Sequence, residues 1–165
     1  CHAQLKPIYF REPSVNLGLG SMQGQLPHLV GEHLLKAAGV RPGAPQFERV
    51  RSGAELDAAL QAAARDKQVV MLDFYADWCV SCKEMEKYTF SDAKVAAQMR
   101  RMTLLQVDVT ANSDADKALL KRFSLFGPPG IIFFGREGQE RQGLRVVGYQ
   151  PADQFIKVLN TALGG

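Results

Sequence analysis

The sequence predicts an α/β domain, with a central, mainly parallel sheet covered by helices on both faces. Three observations carry this. From Gln46 onward, short apolar runs alternate with segments of helical periodicity, the pattern of strands linked through helices. The run Val69–Ala76 is apolar, broken only by Asp73, which suits a central strand buried on both faces. The last two strand candidates are joined by a glycine-containing turn, so they pair antiparallel and make the sheet mixed.

Taken in order, Phe47–Arg51 is a short strand candidate. Ser52 is placed to cap a helix over Ala54–Asp66, with Leu56, Ala59, Leu60 and Ala63 on one face. After the strand Val69–Ala76, Cys79–Thr89 reads as a helix, and Asp92–Arg100 continues it beyond a break near Ser91. Leu104–Val109 is a strand, Asp114–Phe123 a helix and Ile131–Phe134 a strand. A turn over Gly135–Gly143 leads to a last strand, Arg145–Tyr149. Pro151 opens the closing helix, Ala152–Leu163.

Residues 1–45 break this regularity. They hold Pro7, Pro13, Pro27, Pro42 and Pro45, with glycines at 18, 20, 24, 31, 39 and 43. So many breakers argue against a packed core. One short helix is expected over His28–Ala38, where Leu29, Val30, Leu34, Leu35 and Ala38 recur at helical spacing and Gly39 could cap the end. The chain is therefore divided into a tether, 1–45, and a domain, 46–165. The 165 residues suffice for one domain plus an appendage, and 46% are apolar, enough for a full core. Four of the 20 basic and two of the 17 acidic residues precede position 46, leaving 16 against 15 in the domain. That balance gives no reason to expect nucleic acid or an anionic membrane surface as partner. No run of eighteen apolar residues exists to span a bilayer, and no charged-then-apolar leader opens the chain. The first residue is Cys1 rather than Met, as in a processed chain or an excised piece.

Three cysteines are an odd count, and two of them form Cys79-Val80-Ser81-Cys82. One tight pair inside a core-rich domain points to catalysis or metal rather than to a disulfide scaffold. Cys79 follows a buried strand and opens a helix, where unpaired N–H groups and the positive dipole end favour a thiolate. Cys82 lies one turn further on, within disulfide reach. Cys79 is expected to be the exposed, attacking sulfur and Cys82 the more buried, resolving one. Two plainer readings compete. A static bridge closing so small a loop would add little stability. Half a zinc site would want a second pair of ligands, yet no second CxxC exists and His2, His28 and His33 all lie in the tether.

Two carboxylates sharpen the redox reading. Asp73 interrupts an apolar strand, and a buried carboxyl without a partner is costly or becomes protonated. Glu86 follows Cys79 by seven positions and Cys82 by four, so the three form one helical stripe. Against this, Asp73 could reach water from the strand end, and Glu86 could sit on a solvated face beside Lys83 or Lys87. Asp77 belongs to the exposed turn and is assigned no role. Gly127-Pro128-Pro129-Gly130 precedes the fourth strand. A Pro–Pro step is a candidate for a cis bond, though residue chemistry alone favours two trans prolines in a rigid loop.

The arrangement of a strand, then Trp78-Cys79-x-x-Cys82, then a helix, then a proline before the next-to-last strand resembles the thioredoxin superfamily. The longer run Leu72-Asp73-Phe74-Tyr75-Ala76-Asp77-Trp78-Cys79-Val80-Ser81-Cys82-Lys83-Glu84-Met85-Glu86-Lys87-Tyr88-Thr89-Phe90-Ser91-Asp92 is similar to the C-terminal periplasmic domain of the DsbD family of thiol:disulfide interchange proteins. Asp108-Val109-Thr110-Ala111-Asn112 and the strand containing Gly148 also look like that family, so the likeness covers roughly 47–163.

The resemblance implies a thioredoxin-like fold with a central mixed sheet, and a redox disulfide with no other cofactor and no metal. It implies a periplasmic domain of a bacterial inner-membrane electron relay. A transmembrane domain of the same protein, fed by cytoplasmic thioredoxin, would be the donor. An N-terminal periplasmic domain, serving disulfide isomerisation and cytochrome c maturation, would be the acceptor. By position, Cys79 and Cys82 match the attacking and resolving cysteines, Asp73 and Glu86 the two acids beside them, and Pro129 the cis-proline. Two such anions would hold the Cys79 thiol's pKa up, titrating with it as a coupled set. Trp78, Val80 and Pro129 would border a weakly charged face shown to each protein partner in turn. Where the family usually has threonine, this chain has Gly130, and Pro128 replaces a non-proline residue. These departures bear on partner preference more than on chemistry. Two alternatives stand beside the relay: a free-standing periplasmic reductase of the same chemistry, and a metal-binding module. An N-terminal Cys1 would also suit a lipoprotein.

Overall fold

The computed structural model describes residues 44–164. Cys1, the helix expected over His28–Ala38 and all but the last two residues of the expected tether lie outside the described residues.

Strand β1 (Glu48–Arg49) leads into helix α1 (Gly53–Arg65). Strand β2 (Val70–Tyr75) is followed by α2 (Val80–Glu84), which widens into a π-helical turn over Met85–Thr89. Then come α3 (Ala93–Met99), β3 (Thr103–Asp108), α4 (Asp114–Arg122), β4 (Gly130–Phe134), β5 (Glu140–Val147) and α5 (Ala152–Leu163). Side-chain caps mark where helices start. Ser52 accepts from the Glu55 N–H, Asp92 from Lys94 and Val95, and Ser113 and Asp116 form a reciprocal capping box on α4.

The five strands lie in the order β1-β3-β2-β4-β5. β3 runs parallel to both β1 and β2, whereas β4 runs antiparallel to β2 and β5 antiparallel to β4. The sheet is thus mixed, and less parallel than the alternation of strands and helices suggests. After α4 the chain rejoins the sheet beside the end of β2, with Gly130 opposite Phe74, so β4 runs back along it. Periodicity marks a strand but carries no direction.

All six residues of β2 are buried, as expected of a central strand. Its two faces feed separate apolar layers. Leu72 and Phe74 pack with Leu56 and Leu60 of α1 and Leu119 of α4. Met71 packs with Met85, Phe90, Val95 and Met99, and with Phe155 and Leu159 of α5. Each such fully buried side chain contributes roughly 1.5–3 kcal/mol. At the sheet's edges the sequence is a poorer guide. β1 shortens to two residues, since it pairs only with β3. β5 begins at Glu140 rather than Arg145, because Glu140 pairs with Phe134 and leaves a tighter turn in which Gly138 has φ +80°. Its polar start reads as loop, yet an edge strand needs only one partner and tolerates exposed side chains.

Candidate redox-active site

β2 ends at Tyr75, and four residues later Cys79 caps the N-terminus of α2. The Cys82 backbone N–H donates to Cys79 Sγ at 3.2 Å, and the Lys83 N–H to the Cys79 carbonyl at 3.3 Å. The helix start therefore offers a donor to the sulfur that would carry charge on reduction. Cys79 and Cys82 are joined in a disulfide, with Cα atoms 5.3 Å apart. Both are buried, at 7% and 4% exposure, so the expected contrast between an open Cys79 and a covered Cys82 is absent in this state. The linked pair packs into the apolar layer that also holds Ala76 and Val109.

The turn before Cys79 is fastened to the end of β3. Thr110 Oγ1 accepts from the Asp77 N–H at 2.9 Å, and the Thr110 carbonyl accepts from Trp78 Nε1 at 3.2 Å. Asp77 is exposed, yet it accepts from the Tyr75 hydroxyl at 2.9 Å and lies 3.5 Å from Lys83 Nζ. Lys83 also hydrogen-bonds the Tyr75 hydroxyl and sits 4.7 Å from the ring centre.

Asp73 is buried, with 5% exposure, rather than reaching water at a strand end. Gln106, its register neighbour on β3, donates from Nε2 to Asp73 Oδ2 at 2.8 Å. Burial, the largest influence, pushes the Asp73 carboxyl up to about 7. The Gln106 hydrogen bond pulls it down, the Glu86 charge pushes it up, and the Arg49 charge pulls it down. Glu86 thus acts electrostatically on Asp73. It is exposed and lies within the π-helical turn, where regular 3.6-residue spacing no longer extends the Cys79–Cys82 stripe.

The Pro128–Pro129 bond is cis, as the resemblance implies and as residue chemistry alone does not favour. Pro129 precedes Gly130, so the loop lies at the end of the sheet where β2 hands over to the turn before Cys79. The Gly148 N–H, at φ +83°, donates to the Pro129 carbonyl at 3.1 Å. Gly130 has a steric reason: a Cβ there would lie 2.7 Å from Leu125 Cδ1. Trp78 and Val80 are 59% and 72% exposed, and Phe126, three residues before Pro129, is fully exposed. Among the described residues no group of three or more His, Cys, Asp or Glu could hold a metal ion. No helix among them is long and apolar enough to cross a membrane.

The model of the thioredoxin-like domain family matches residues 56–163. This chain belongs to the thioredoxin-like family. Within it, the chain groups with DsbD. It is 54% identical over 130 residues to the thiol:disulfide interchange protein DsbD of Ralstonia nicotianae, covering 78% of this chain and 21% of that protein. It is 52% identical over 109 residues to DsbD of Pectobacterium atrosepticum, covering 66% and 18% respectively. The chain therefore spans about a fifth of the length of the curated relatives it matches. The crystal structure of the oxidised DsbD C-terminal domain of Neisseria meningitidis superposes with a TM-score of 0.60 at 39% identity, covering 70% of this chain and 99% of that one.

In this thioredoxin-like domain, two residues of the site escape a reading of motifs. Gln106 sits inside an apolar strand and carries no pattern; only pairing β3 with β2 brings it to Asp73. Thr110 falls in a run that resembles the family, but its hold on Asp77 and Trp78 depends on tertiary contact.

Proposed function

We propose that this domain is a protein-disulfide oxidoreductase that relays electrons from a membrane-embedded dithiol donor to periplasmic disulfide partners. In this reading it is the periplasmic C-terminal domain of a DsbD-type inner-membrane protein. Its donor is that protein's transmembrane domain, and its acceptor an N-terminal periplasmic domain serving disulfide isomerisation and cytochrome c maturation. The observation that carries the reading is the Cys79–Cys82 disulfide at a helix N-terminus, with an N–H directed at Cys79 Sγ. The disulfide itself is the redox group.

Electrons enter when a donor thiolate attacks Cys79 Sγ. A donor–Cys79 bond forms, the Cys79–Cys82 bond breaks, and Cys82 leaves with the electron pair and takes up a proton. The donor's second thiolate then attacks its own mixed-disulfide sulfur and releases Cys79 as a thiolate. Onward transfer reverses the order: Cys79 attacks the acceptor disulfide, and Cys82 then attacks Cys79 Sγ, which restores the ring and frees the reduced acceptor. Two electrons move per cycle. When Asp73 has lost its proton, it and Glu86 act on this chemistry as anions that disfavour a third at Cys79. Trp78, Val80 and Pro129 border the face that partners meet, which the exposure of Trp78 and Val80 supports.

The test is to express Cys82→Ala in cells and identify what is disulfide-linked to Cys79. Capture of a membrane-embedded donor or a periplasmic thiol–disulfide protein is the expected result. If Cys82 is the first of the pair to be alkylated in the reduced protein, the assignment of attacker and resolver is reversed.

A further inference from the structure

The turn between β2 and α2 is closed by a main-chain bond, from the Cys79 N–H to the Ala76 carbonyl at 3.1 Å. The pairing of β2 with β3 runs out just before it, where the Val109 N–H donates to the Tyr75 carbonyl at 2.8 Å. Beyond that point Thr110 takes over from the ladder. Its Oγ1 accepts from the Asp77 N–H at 2.9 Å, and its carbonyl accepts from the Trp78 indole N–H at 3.2 Å. The Tyr75 hydroxyl also reaches Asp77, but it ties the carboxylate and not the backbone. A hydroxyl donates as well as accepts, so the Thr110 proton must point elsewhere for a lone pair to face Asp77. Asp108 takes that proton. The Thr110 hydroxyl and the Thr110 N–H, the latter at 2.9 Å, both donate to Asp108 Oδ1, while Arg49 of β1 pairs with Oδ2. Burial pushes the Asp108 carboxyl up, but the two Thr110 bonds and the Arg49 charge outweigh it and hold it below its ordinary 3.8. At neutral pH it is therefore a carboxylate, which only accepts. Trp78 is 59% exposed, so packing alone does not fix its indole.

We infer that Asp108 and Thr110 are positioning residues for the docking face: Asp108 orients the Thr110 hydroxyl, and Thr110 holds the Asp77–Trp78 backbone so that the indole is set beside Cys79 for a protein partner. This rests on reading Trp78 as part of the face that partners meet. The pair acts on docking and not on the thiol, because the N–H that meets Cys79 Sγ belongs to α2 itself.

Trp78 is the chain's one tryptophan, so its indole N–H resonance reports this site alone. The experiment uses the reduced full chain, with the oxidised N-terminal domain of DsbD as the protein disulfide and oxidised glutathione as the small one. Indole exchange with water is read by NMR on the disulfide form. Thr110→Val keeps the shape and loses the hydroxyl. It should raise KM for the protein disulfide roughly threefold to tenfold with kcat nearly unchanged, and leave glutathione exchange within about twofold of native. Its indole N–H should exchange with water faster than in the native protein, and Thr110→Ser should restore both readouts. Asp108→Ala should raise the same KM by no more than Thr110→Val does, and the double variant should lose no more than Thr110→Val alone. A native KM with native indole exchange in Thr110→Val would overturn this inference alone. Equal losses on both disulfides would overturn it too, by placing Thr110 in the thiol chemistry. A native KM in Asp108→Ala, or fully additive losses in the double variant, would overturn the part given to Asp108. A Trp78→Ala variant with a native KM for the protein disulfide would overturn the reading of the docking face, and this inference with it.

Discussion

At Asp73 a carboxyl occupies a place in the central strand that packing would give to an apolar side chain, and its proton links the fold to pH. Its folded pKa, about 7, lies above the ordinary 3.8, so the folded chain binds the proton more tightly than the unfolded one. Stability from this group is full below about pH 4, falls as pH rises through 7, and is flat above. Asp73→Asn removes that loss. Urea unfolding should find the variant more stable than the native protein by about 2–4 kcal/mol at pH 8, with a much smaller difference at pH 4. An equal difference at both pH values would mean that Asp73 is not the linked group. Gly130 is a second place where one atom decides. Gly130→Ala should cost on the order of 1–3 kcal/mol by pressing on Leu125. Combining it with Leu125→Ala should cost less than the sum of the two single changes, a coupling that a double-mutant cycle measures.

Helix starts are where local sequence and structure agree most closely, because a cap is a bond between neighbours. Ser52, Asp92 and Ser113 each hold an N–H two or three residues ahead. Ser113→Ala removes half of the capping box on α4 and should lower stability by about 1 kcal/mol. Exchange with a small disulfide should be unchanged, since the lost bond is local to the first turn of α4, even though α4 shares an apolar layer with the cysteine pair. A loss of exchange with the midpoint intact would tie α4 to the chemistry. Strand ends agree less well. β5 starts five residues earlier than its sequence suggests because β4 supplies the hydrogen bonds.

For the molecule as a whole, in the proposed relay the redox pair at one end of the sheet means that donor and acceptor reach the same sulfur in turn. Direct attack through a mixed disulfide leaves no room for both at once. Contact should be weak and brief, resting on a few exposed apolar side chains, of which Trp78, Val80 and Phe126 are the most prominent near the site. Phe126→Ala should lower kcat/KM toward a protein disulfide by roughly tenfold, and toward a small disulfide by much less. Equal losses for both substrates would place Phe126 outside the docking face. A ternary complex with both partners at Cys79 would rule out the shuttle.

By itself the sequence determined the order of elements, the central buried strand, the Cys79–Cys82 pair at a helix start and the presence of a carboxyl at Asp73. These follow from periodicity, caps and spacing, which act over a few residues. The chain's likeness to a known family added the cis bond at Pro129, which residue chemistry alone did not favour. Only the tertiary structure decided the direction of β4, the early start of β5, the π-helical turn that carries Glu86 out of a regular stripe, and the burial of both cysteines. It also decided that Gln106 is the side chain bonded to Asp73. The physical reason is the same in each case: a strand's partners, and the groups facing a buried charge, come from segments far apart in the chain, and pairing them is a property of the packed whole.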